Sequence, residues 1–486
     1  MTQTKTQQFN PQTLQSGGQV FTIWSDGIEG RIDPSFYRPE IFILAKRMAK
    51  VNHYKLGDLI NDLSGGATPK IAEDFYLEEN GIPFLRVQNI TDEGIDLEDV
   101  KFIKPEVHNT MLKRSRLQKD DVVFTITGRI GSASLVPDNF EGNINQHSVR
   151  LHFKNEINGI KILPQYIVIY FNSTIGRTLS FQGITGGTRP ALDYKALKNM
   201  PMPLPSLAIQ NKIVEIMAKT YAEKKEKETA AGKLLGSIDD FVLEELGIKM
   251  SAIKKEMVFE VWSDEVKNRL DPEYYQKFYK IFINEINKSK FSKEKLENIT
   301  EFVMSGRTPA KDDYAENAED GIPIIKAGTA SGKLVNLKKL GYVKAGFDGK
   351  QTAKKGDFFI LSAAHQAEYV GKNVSLLDEE PEKDTYFVGE LINVRANPKK
   401  CLSEYLFSFL SSHFAYILIN REKRGQTSHL YSDDLKNIFI PLPPLAVQKK
   451  ITDKLKSYRN QAKTLQNEAR GVLVQAKEKV EQMILG

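Results

Sequence analysis

Residues 197–210 read LKNMPMPLPSLAIQ, and residues 435–448 read LKNIFIPLPPLAVQ. Both stretches place prolines immediately before a long run of helix-forming residues. Proline allows extended structure and turns but disrupts a helix interior, so each stretch predicts the end of a globular domain and the start of a helix. We call these stretches the proline straps. Their similarity indicates that the chain carries two copies of one unit.

The duplication extends well beyond the straps. Residues 23–25 (IWS) and 31–37 (RIDPSFY) return as residues 261–263 (VWS) and 269–275 (RLDPEYY). A repeat of this length excludes solenoids and propellers, whose periods are roughly 20–50 residues. The sequence therefore predicts a molecule with two similar surfaces, which suits a target made of two parts.

Composition limits the functional classes. The chain has 486 residues, 41% of them hydrophobic, which is ordinary for a globular protein with two or three domains. Its 68 basic residues exceed its 62 acidic residues, but the net charge of +6 is too small to indicate nucleic-acid binding by itself. The single cysteine excludes an internal disulfide framework. No apolar run reaches the roughly 18–20 residues of a membrane span, so we expect a cytoplasmic protein.

Short β-type runs, separated by glycine and proline loops, precede each strap, and each region also contains one apolar helix, predicted at residues 164–179 and 403–420. The predicted fold class is therefore mixed α/β, with two homologous globular domains. The predicted order is a polar, disordered leader at 1–19, an opening segment and helix at 20–54, the first globular domain at 55–206, a central long helix at 207–250, a second opening segment and helix at 251–290, the second globular domain at 291–444 and a C-terminal long helix at 445–486.

Apolar residues recur every three or four positions after each strap. Ile209 and Ile213 begin this pattern in the first copy, and Val447 and Ile451 begin it in the second. Neither helix can bury its apolar stripe alone, so the two are predicted to pair as an antiparallel coiled coil with a globular domain at each end. The helices would then set the distance between the two domains.

The sequence carries no recognisable catalytic motif. Residues 328–334 (GTASGKL) are one residue short of a phosphate-binding loop and lack the hydroxyl that would reach magnesium. No cofactor-binding glycine motif follows a strand. His147 and His152 are more typical of a strand-face pair than of a zinc site, so we expect no bound metal. A triad with distant members is not excluded by this pattern, since its residues need not be close in sequence.

Basic and polar residues instead concentrate in glycine loops at equivalent places in the two copies. Small residues allow backbone amides to approach a phosphate closely, although a tight turn is the alternative explanation. The candidate DNA-binding residues are Ser64, Gly65, Gly66, Thr68, Lys70, Arg86, Gln88, Asn89, Thr127, Arg129, Thr185, Gly187, Thr188 and Arg189 in the first copy, and Ser305, Arg307, Thr308, Lys326, His365, Gln366, Tyr369, Lys423, Arg424, Gln426, Thr427, Ser428 and His429 in the second.

The side chains of these loops are of the types that read base edges. Arginine pairs with guanine, glutamine pairs with adenine, and threonine and serine bind either base edges or phosphate. Surface salt bridges are the alternative for the charged residues, but their recurrence in equivalent loops favours DNA contact. The loops around Arg129 and His365 share a position but differ in chemistry, which is what two readers of different bases would require.

The proline straps, each leading into a long helix, resemble those of the specificity subunits of type I restriction-modification systems. The glycine loops at 64–69 and 305–309 also match that family. The similarity covers both globular domains and both helices, from about residue 55 to the end of the chain. Two straps with two helices make the resemblance specific.

The resemblance implies a DNA-reading subunit without catalysis, whose two target recognition domains each read one half of a split, asymmetric site. It implies double-stranded DNA, two modification subunits and restriction subunits as partners. The modification subunits would bind S-adenosylmethionine and methylate adenine, so this chain would bind no cofactor itself. A duplicated scaffold or inhibitor that binds such subunits without reading DNA is the alternative. Contacts with the partner subunits are expected along the helices at Ile209, Ile213, Ile216, Val447, Ile451 and Leu455.

Overall fold

The computed structural model describes residues 34–69, 74–185, 190–250, 255–256, 258–266, 269–319, 321–425 and 428–486. The chain divides into two compact units. The first unit contains the described residues up to Glu228 together with Asn467–Gly486, and the second contains Thr229–Gln466. The predicted leader and the first tryptophan motif lie outside the described residues.

The first unit has mainly antiparallel sheets, with one parallel pair between Ile82–Leu85 and Asn143–Ile144, together with several short helices and part of a long one. Its strands are β1 (His53–Lys55), β2 (Ile60–Gly65), β3 (Tyr76–Leu77), β4 (Ile82–Leu85), β5 (Ile90–Thr91), β6 (Gly94–Ile95), β7 (Lys101–Ile103), β8 (Val122–Thr125), β9 (Ala133–Leu135), β10 (Asn143–Ile144), β11 (Ser148–Phe153), β12 (Glu156–Ile157), β13 (Ile160–Lys161), β14 (Ile184–Thr185), β15 (Ala191–Leu192) and β16 (Pro201–Pro203). Its helices are α1 (Pro39–Met48), α2 (Leu56–Leu59), α3 (Pro105–Asn109), α4 (Pro164–Asn172), α5 (Thr174–Gln182), α6 (Tyr194–Asn199) and the first part of α7 (Leu207–Leu246).

The second unit repeats the main elements of this order with fewer short strands among its described residues. Its helices are the remainder of α7, then α8 (Lys277–Asn287), α9 (Leu296–Ile299), α10 (Ser403–Leu410), α11 (His413–Glu422), α12 (Ser432–Lys436) and the first part of α13 (Leu445–Leu485), whose end belongs to the first unit. Its strands are β17 (Lys293–Lys295), β18 (Thr300–Ser305), β19 (Tyr314–Ala315), β20 (Gly321–Ile325), β21 (Gly341–Lys344), β22 (Phe358–Leu361), β23 (Val374–Leu376), β24 (Tyr386–Phe387), β25 (Leu391–Ala396) and β26 (Phe439–Pro441).

Each unit has a central four-stranded antiparallel sheet, in the order β2-β11-β8-β9 in the first unit and β18-β25-β22-β23 in the second. Strand β8 is buried along its whole length, whereas β11 alternates between buried and half-buried residues. Phe124 of β8 packs on Phe171 of α4, with ring centroids 4.7 Å apart. The predicted mixed α/β class with two repeated domains is confirmed.

The two apolar helices predicted before the straps are each divided into two. In the first unit α4 ends at Asn172 and α5 begins at Thr174, so the prediction of one helix is wrong. Ser173 between them has an extended backbone, and its hydroxyl accepts a hydrogen bond from the amide of Gly176 at 3.2 Å. Ser412 caps α11 in the same way. A serine cap therefore starts a new helix where apolar periodicity alone predicts continuation.

A buried glutamine fastens each proline strap to its unit. Gln448 donates hydrogen bonds from Nε2 to the carbonyls of Lys400 at 3.1 Å and Pro443 at 2.8 Å, and its Oε1 accepts from the amide of Leu402 at 2.8 Å. Gln210 makes the equivalent three contacts in the first unit. The last strap residue thus satisfies three backbone groups that would otherwise be buried without partners.

We expect Gln448→Ala to lower the free energy of unfolding by about 3 kcal/mol, because three buried backbone groups lose their partner. Urea denaturation of the full chain would measure the loss. Gln461→Ala is the matched control, since this exposed glutamine of α13 bonds only to Ser457 among the residues that the structure describes. A change below about 0.5 kcal/mol is expected there. Equal losses in the two variants would contradict the role of the strap glutamine.

The two long helices pack together within each unit. In the first unit Ile213 and Met217 of α7 share a core with Val480 and Ile484 of α13, and Lys227 bonds to Glu468 at 2.8 Å. In the second unit the ring of Phe241 lies 5.8 Å from that of Tyr458. The beginning of each helix meets the end of the other, as an antiparallel pair requires. None of the described helices combines the length and apolarity needed to cross a membrane.

The packing corrects part of the predicted partner surface. Ile213, Ile451 and Leu455 have no exposed side-chain area because they lie in the cores of their own units. They cannot contact another protein without unfolding these cores. Ile216 and Val447 are half-buried against the same cores, and Ile209 remains 38% exposed. The residues of α7 and α13 available to a partner are therefore the exposed ones.

Candidate nucleic-acid interface

Three loops converge at one edge of the central sheet in the first unit. Strands β2 and β8 end at Gly65 and Thr125, and β11, which pairs with both, begins at Ser148. Antiparallel pairing brings the end of one strand beside the start of the next. The loops at 64–69, 126–131 and 145–147 therefore lie side by side. We call these three loops the first loop edge.

A chain of side-chain hydrogen bonds joins the first loop edge. Thr68 donates to Gln146, Gln146 Nε2 lies 3.1 Å from His147 Nε2, and His147 Nδ1 contacts the hydroxyl of Thr127. Gln146 and His147 are exposed. Sequence reasoning did not select them for this surface, because only the strand register places residues 145–147 between the two glycine loops.

The hairpin of β14 and β15 joins the same edge. Thr127 forms a β-bridge with Ala191, and the amide of Leu192 donates to the carbonyl of Ile126 at 2.9 Å. Thr185 is exposed on this hairpin. The described ends of this hairpin, Thr185 and Ala191, therefore lie next to the first loop edge, while residues 186–189 lie outside the described residues.

The second unit builds the equivalent edge from loops at 305–309, 362–369 and 388–390, which we call the second loop edge. Strands β18 and β22 end at Ser305 and Leu361, and β25 pairs with both and begins at Leu391. The amide of Leu430 donates to the carbonyl of Ser362 at 3.0 Å. Leu430 therefore flanks this edge as the β14–β15 hairpin flanks the first.

The glycines of the two loop edges have a packing role. A Cβ atom on Gly66 would lie 2.1 Å from the carbonyl oxygen of Ile144, and one on Gly306 would lie 2.0 Å from that of Phe387. Only glycine allows this approach of two backbones. The tight-turn explanation therefore accounts for the glycines without DNA. Ser64 is buried at 7% exposure, so its hydroxyl is not part of the exposed surface.

Gly65 and a cation missed by the sequence reasoning lie together beside the first loop edge. A Cβ atom on Gly65 would collide with the hydroxyl of Tyr194. Arg114 is exposed and lines the same surface depression as Gly65 and Ala67. Lys113 next to it is also exposed. The basic run KRSR at 113–116 is visible in the sequence and could have identified these cations. Only the fold shows that this run lies beside the glycine loop.

The side chains of Arg86, Gln88 and Asn89 bond mainly within their own turn. Arg86 and Gln88 both donate to the carboxylate of Asp99, at 3.1 and 2.9 Å. Asn89 is fully buried, and its side-chain amide donates to the carbonyl of Asp96 at 2.9 Å. The prediction of a DNA contact by Asn89 is therefore corrected, because its side chain cannot reach the surface.

Several predicted contact residues are exposed and unpaired. Arg129 extends from the first loop edge, and His365 and Gln366 extend from the second. In the part of the chain that the structure describes, their side chains make no hydrogen bond or ion pair. Tyr369 is 40% exposed on the same loop. These side chains are free to bind a ligand at the loop edges.

Aromatic rings hold the two cations of the second unit that lie near the glycine loop. The guanidinium of Arg307 lies 5.6 Å from the ring centroid of Phe347 and donates to the carbonyl of Asp348 at 3.2 Å. The ammonium of Lys326 lies 4.5 Å from the ring centroid of Tyr314. Cation–π contact restricts these side chains while leaving their charge available.

The segment after α11 is fixed at both of its ends. Arg424 and His429 exchange two backbone hydrogen bonds of 2.8 Å, and the amide of Ser428 donates to the carbonyl of Gly425 at 3.1 Å. Arg424 also forms an ion pair with Asp434. These bonds join the described residues on the two sides of Gln426 and Thr427, which lie outside the described residues.

Lys423 lies at the start of this segment. Its ammonium donates to the carbonyl of Ala367 at 3.3 Å and lies 5.0 Å from the ring centroid of Tyr416. Burial, with the nearby charge of Lys255, lowers the pKa of Lys423 to about 8. Lys423 therefore joins two loops of the second unit and is only partly available to a phosphate.

Six predicted residues lie outside the described residues and stay predictions. They are Lys70, Gly187, Thr188, Arg189, Gln426 and Thr427.

The repeated motif RLDPEYY of residues 269–275 anchors the end of α11. Arg269 donates to the carboxylate of Asp271 at 2.7 Å and to the carbonyl of Lys423 at 2.6 Å, and its side chain is only 9% exposed. Tyr274 lies between two guanidinium groups, those of Arg269 at 4.3 Å and Arg421 at 3.7 Å. The motif therefore fixes Lys423, the residue that precedes Arg424.

We expect Arg269→Met to loosen the backbone that follows α11, because a buried charge-assisted hydrogen bond to the carbonyl of Lys423 is lost. Hydrogen exchange of the amides at 423–425 should accelerate by about tenfold, the change that corresponds to about 1.4 kcal/mol. Lys280→Met is the control, since Lys280 forms an exposed ion pair with Glu265. Similar exchange in the two variants would contradict the anchoring role.

Comparison with known sequences places these features in one family. The family described as "Type I restriction modification DNA specificity domain" matches residues 48–231 and again residues 288–471. The EcoBI specificity subunit of a type I restriction enzyme from Escherichia coli is 32% identical over 152 residues, 31% of this chain and 31% of that protein. The putative type I restriction enzyme MjaX specificity subunit from Methanocaldococcus jannaschii is 30% identical over 196 residues, 38% of this chain and 43% of that protein. The aligned region thus spans less than half of either relative.

Three solved structures have a similar course of the chain. One comes from a study of complex assembly and conformational transition in the type I R-M system. It gives a TM-score of 0.49 and 16% identity, over 89% of this chain and 96% of the other. The type I S subunit from M. genitalium gives a TM-score of 0.41 and 13% identity over 90% and 96% of the two chains. The HsdS subunit from Thermoanaerobacter tengcongensis gives 0.38 and 16% identity over 89% and 95%.

Proposed function

Since this chain belongs to the type I restriction-modification DNA specificity family, which matches both of its repeats, we propose that it reads a split, asymmetric DNA site. Each unit would read one half of the site with its loop edge. The chain would perform no chemistry itself and would direct adenine methylation, or cleavage, by partner subunits.

One observation carries this proposal: the two loop edges share a backbone arrangement but present different side chains. Gln146 and His147 are exposed at the first edge, whereas Glu390 occupies the corresponding place at the second. A surface that bound only phosphate would have no need for this difference, because phosphates are the same at every step of DNA. Different hydrogen-bonding side chains on one scaffold suit two different half-sequences.

The cations beside the loop edges would fix the position of the DNA. Arg129, Arg114 and Lys113 would contact phosphates around the first half-site, and Arg307 and Lys326 would do so around the second. Their charge supplies affinity that is independent of sequence and falls with salt. Base contacts from the loop edges would then decide which sequence is bound.

The partner subunits would bind the exposed faces of α7 and α13. Two modification subunits would supply S-adenosylmethionine and the methyl-transfer site, and restriction subunits would supply translocation and cleavage. A specificity chain that holds such subunits in place needs no cofactor of its own.

The test is methylome sequencing of a host that expresses this chain with its neighbouring modification subunit, compared with the same host lacking this chain. A split, asymmetric motif with methylated adenine that appears only with this chain is the expected result. Methylation that does not depend on this chain would overturn the proposal and favour a scaffold or inhibitor that binds the partners without reading DNA.

A further inference from the structure

Glu390 occupies the position at the second loop edge that His147 occupies at the first. The amide of Ile126, one residue after β8, donates to the carbonyl of His147 at 2.9 Å. The amide of Ser362, one residue after β22, donates to the carbonyl of Glu390 at 2.8 Å. The same backbone bond therefore identifies two equivalent residues, of which the second belongs to none of the sets selected from the sequence.

The two edges differ in hydrogen-bonding capacity at this position. The imidazole of His147 and the neighbouring amide of Gln146 can both donate and accept, whereas an ionised carboxylate such as that of Glu390 only accepts. Glu390 Oε2 accepts from the hydroxyl of Thr308 at 3.0 Å. Among the described residues, Glu390 forms no ion pair with a lysine, arginine or histidine, so its charge is not neutralised there.

A carboxylate without a cationic partner is unfavourable beside a phosphate backbone, since like charges repel. It becomes favourable where it faces a hydrogen-bond donor on a base. In the major groove the donors are the exocyclic amino groups of cytosine (N4) and adenine (N6), and carboxylates accept from cytosine N4 in known readout. A carboxylate at this position would therefore favour bases that present an amino group and would be repelled by phosphate.

Resting on the proposed function, we propose that Glu390 is a specificity-determining residue of the second unit, which accepts a hydrogen bond from the exocyclic amino group of a cytosine or adenine in its half-site. Thr308 holds the carboxylate in position through its hydroxyl, and that hydroxyl in turn accepts from the amide of Gly389 at 3.2 Å. One carboxylate oxygen is thus fixed by the loop, and Oε1, which has no hydrogen bond among the described residues, would accept from the base.

Glu390→Gln separates base reading from a purely structural role in the loop. The side-chain carbonyl of glutamine can still accept from Thr308, while its amide replaces the second acceptor by a donor. A residue that only held the loop would tolerate this change. A residue that accepted from an amino group would instead face it with a donor and lose the preferred base.

The first arm is methylome sequencing of the chain with its modification subunit, as wild type, as Glu390→Gln and as Glu297→Gln. Glu297 is an exposed glutamate on α9, which directly precedes β18 at the end opposite the loop edge, so its variant removes the same charge away from the site. We expect Glu390→Gln to change or broaden one cytosine or adenine position in one half of the motif, and Glu297→Gln to leave the motif intact.

The outcomes separate the inference from the proposed function. Absence of a chain-dependent motif in the wild type would refute the proposed function. A wild-type motif retained unchanged by Glu390→Gln, or one altered in both halves, would overturn the inference alone. A change to a cytosine position identifies N4 as the donor, and a change to an adenine position identifies N6.

If Glu390→Gln no longer supports methylation, DNA binding is measured directly in a second experiment. Purified complexes would be tested by fluorescence anisotropy against duplexes that carry the wild-type motif, in which each cytosine or adenine of either half-site is replaced in turn. The wild type should discriminate at each recognised position by roughly tenfold or more, as expected for specific base contacts, and Glu390→Gln should lose discrimination at one cytosine or adenine position only. Equal discrimination by both proteins at every position would overturn the inference.

Discussion

Replacing Asp357 by asparagine is expected to lower the free energy of unfolding of the second unit by about 3 kcal/mol or more. The Asp357 carboxylate has 1% exposure and accepts two hydrogen bonds of 2.7 Å from the guanidinium of Arg395. It also accepts from Asn393 and from the amide of Lys354, at 2.9 Å each. Removing one partner of a buried ion pair leaves an uncompensated charge, here that of Arg395, which is why the loss is large.

Asp121→Asn is the matched control, because Asp121 stands at the same place before β8. Its carboxylate is also buried, but its partners are His152 at 2.9 Å, the amide of Gln118 at 2.8 Å and, more distantly, Arg150 at 3.7 Å. Burial raises the pKa of Asp121, opposed by the hydrogen bond from His152. A raised carboxyl pKa means that ionisation costs stability as pH rises through it, and asparagine avoids this cost at neutral pH. We therefore expect a loss below about 1 kcal/mol.

Hydrogen exchange of the full chain would follow the two units separately through the amides of β22 and β8. Protection of β22 should fall strongly in Asp357→Asn, while protection of β8 in Asp121→Asn should change little. Comparable losses at the two positions would show that the bidentate guanidinium contact does not account for the difference.

Exchanging residues 183–189 for the equivalent loop of another family member is expected to change one half of the recognised DNA motif and to leave the other half unchanged. The described ends of this segment belong to the hairpin of β14 and β15, which pairs with the first loop edge through Thr127 and Ala191. Each altered base contact should change discrimination by roughly tenfold or more. Methylome sequencing would read both halves in one experiment.

The control is exchange of the turn at Asn158 and Gly159 in the same unit. This turn joins β12 to β13, beyond the end of β11 that is opposite the first loop edge. We expect no change in either half of the motif. A motif that followed this turn, or one in which residues 183–189 altered both halves, would contradict local reading by the loop edge.

The sequence predicted the straps and the pairing of the long helices because each depends on local chemistry. Proline excludes a helix interior, and an apolar stripe must be covered, so both conclusions follow without knowledge of the tertiary fold. Gln210 and Gln448 end these straps. Only the packing shows that each of them binds three backbone groups. The serine caps that divide the apolar helices were likewise hidden, since apolar periodicity continues through them.

The candidate site was predicted in part. The glycine loops were identified from residue types at repeated positions, yet their glycines are explained by backbone contact, and Asn89 proved to be buried. Gln146, His147 and Glu390 were missed because no local pattern distinguishes them. They reach the loop edges through strand register, which joins residues far apart in the chain.

The sequence by itself determined that this protein is a duplication, where each domain meets its helix and which residue types are available for reading DNA, because repetition, proline and apolar spacing act within short stretches of chain. Only the tertiary structure decided which of those residues share a surface. The pairing of β2, β8 and β11, and of their counterparts in the second unit, brings the loops of that surface together. Because the side chains at equivalent positions differ, the same backbone arrangement forms two edges of different chemistry.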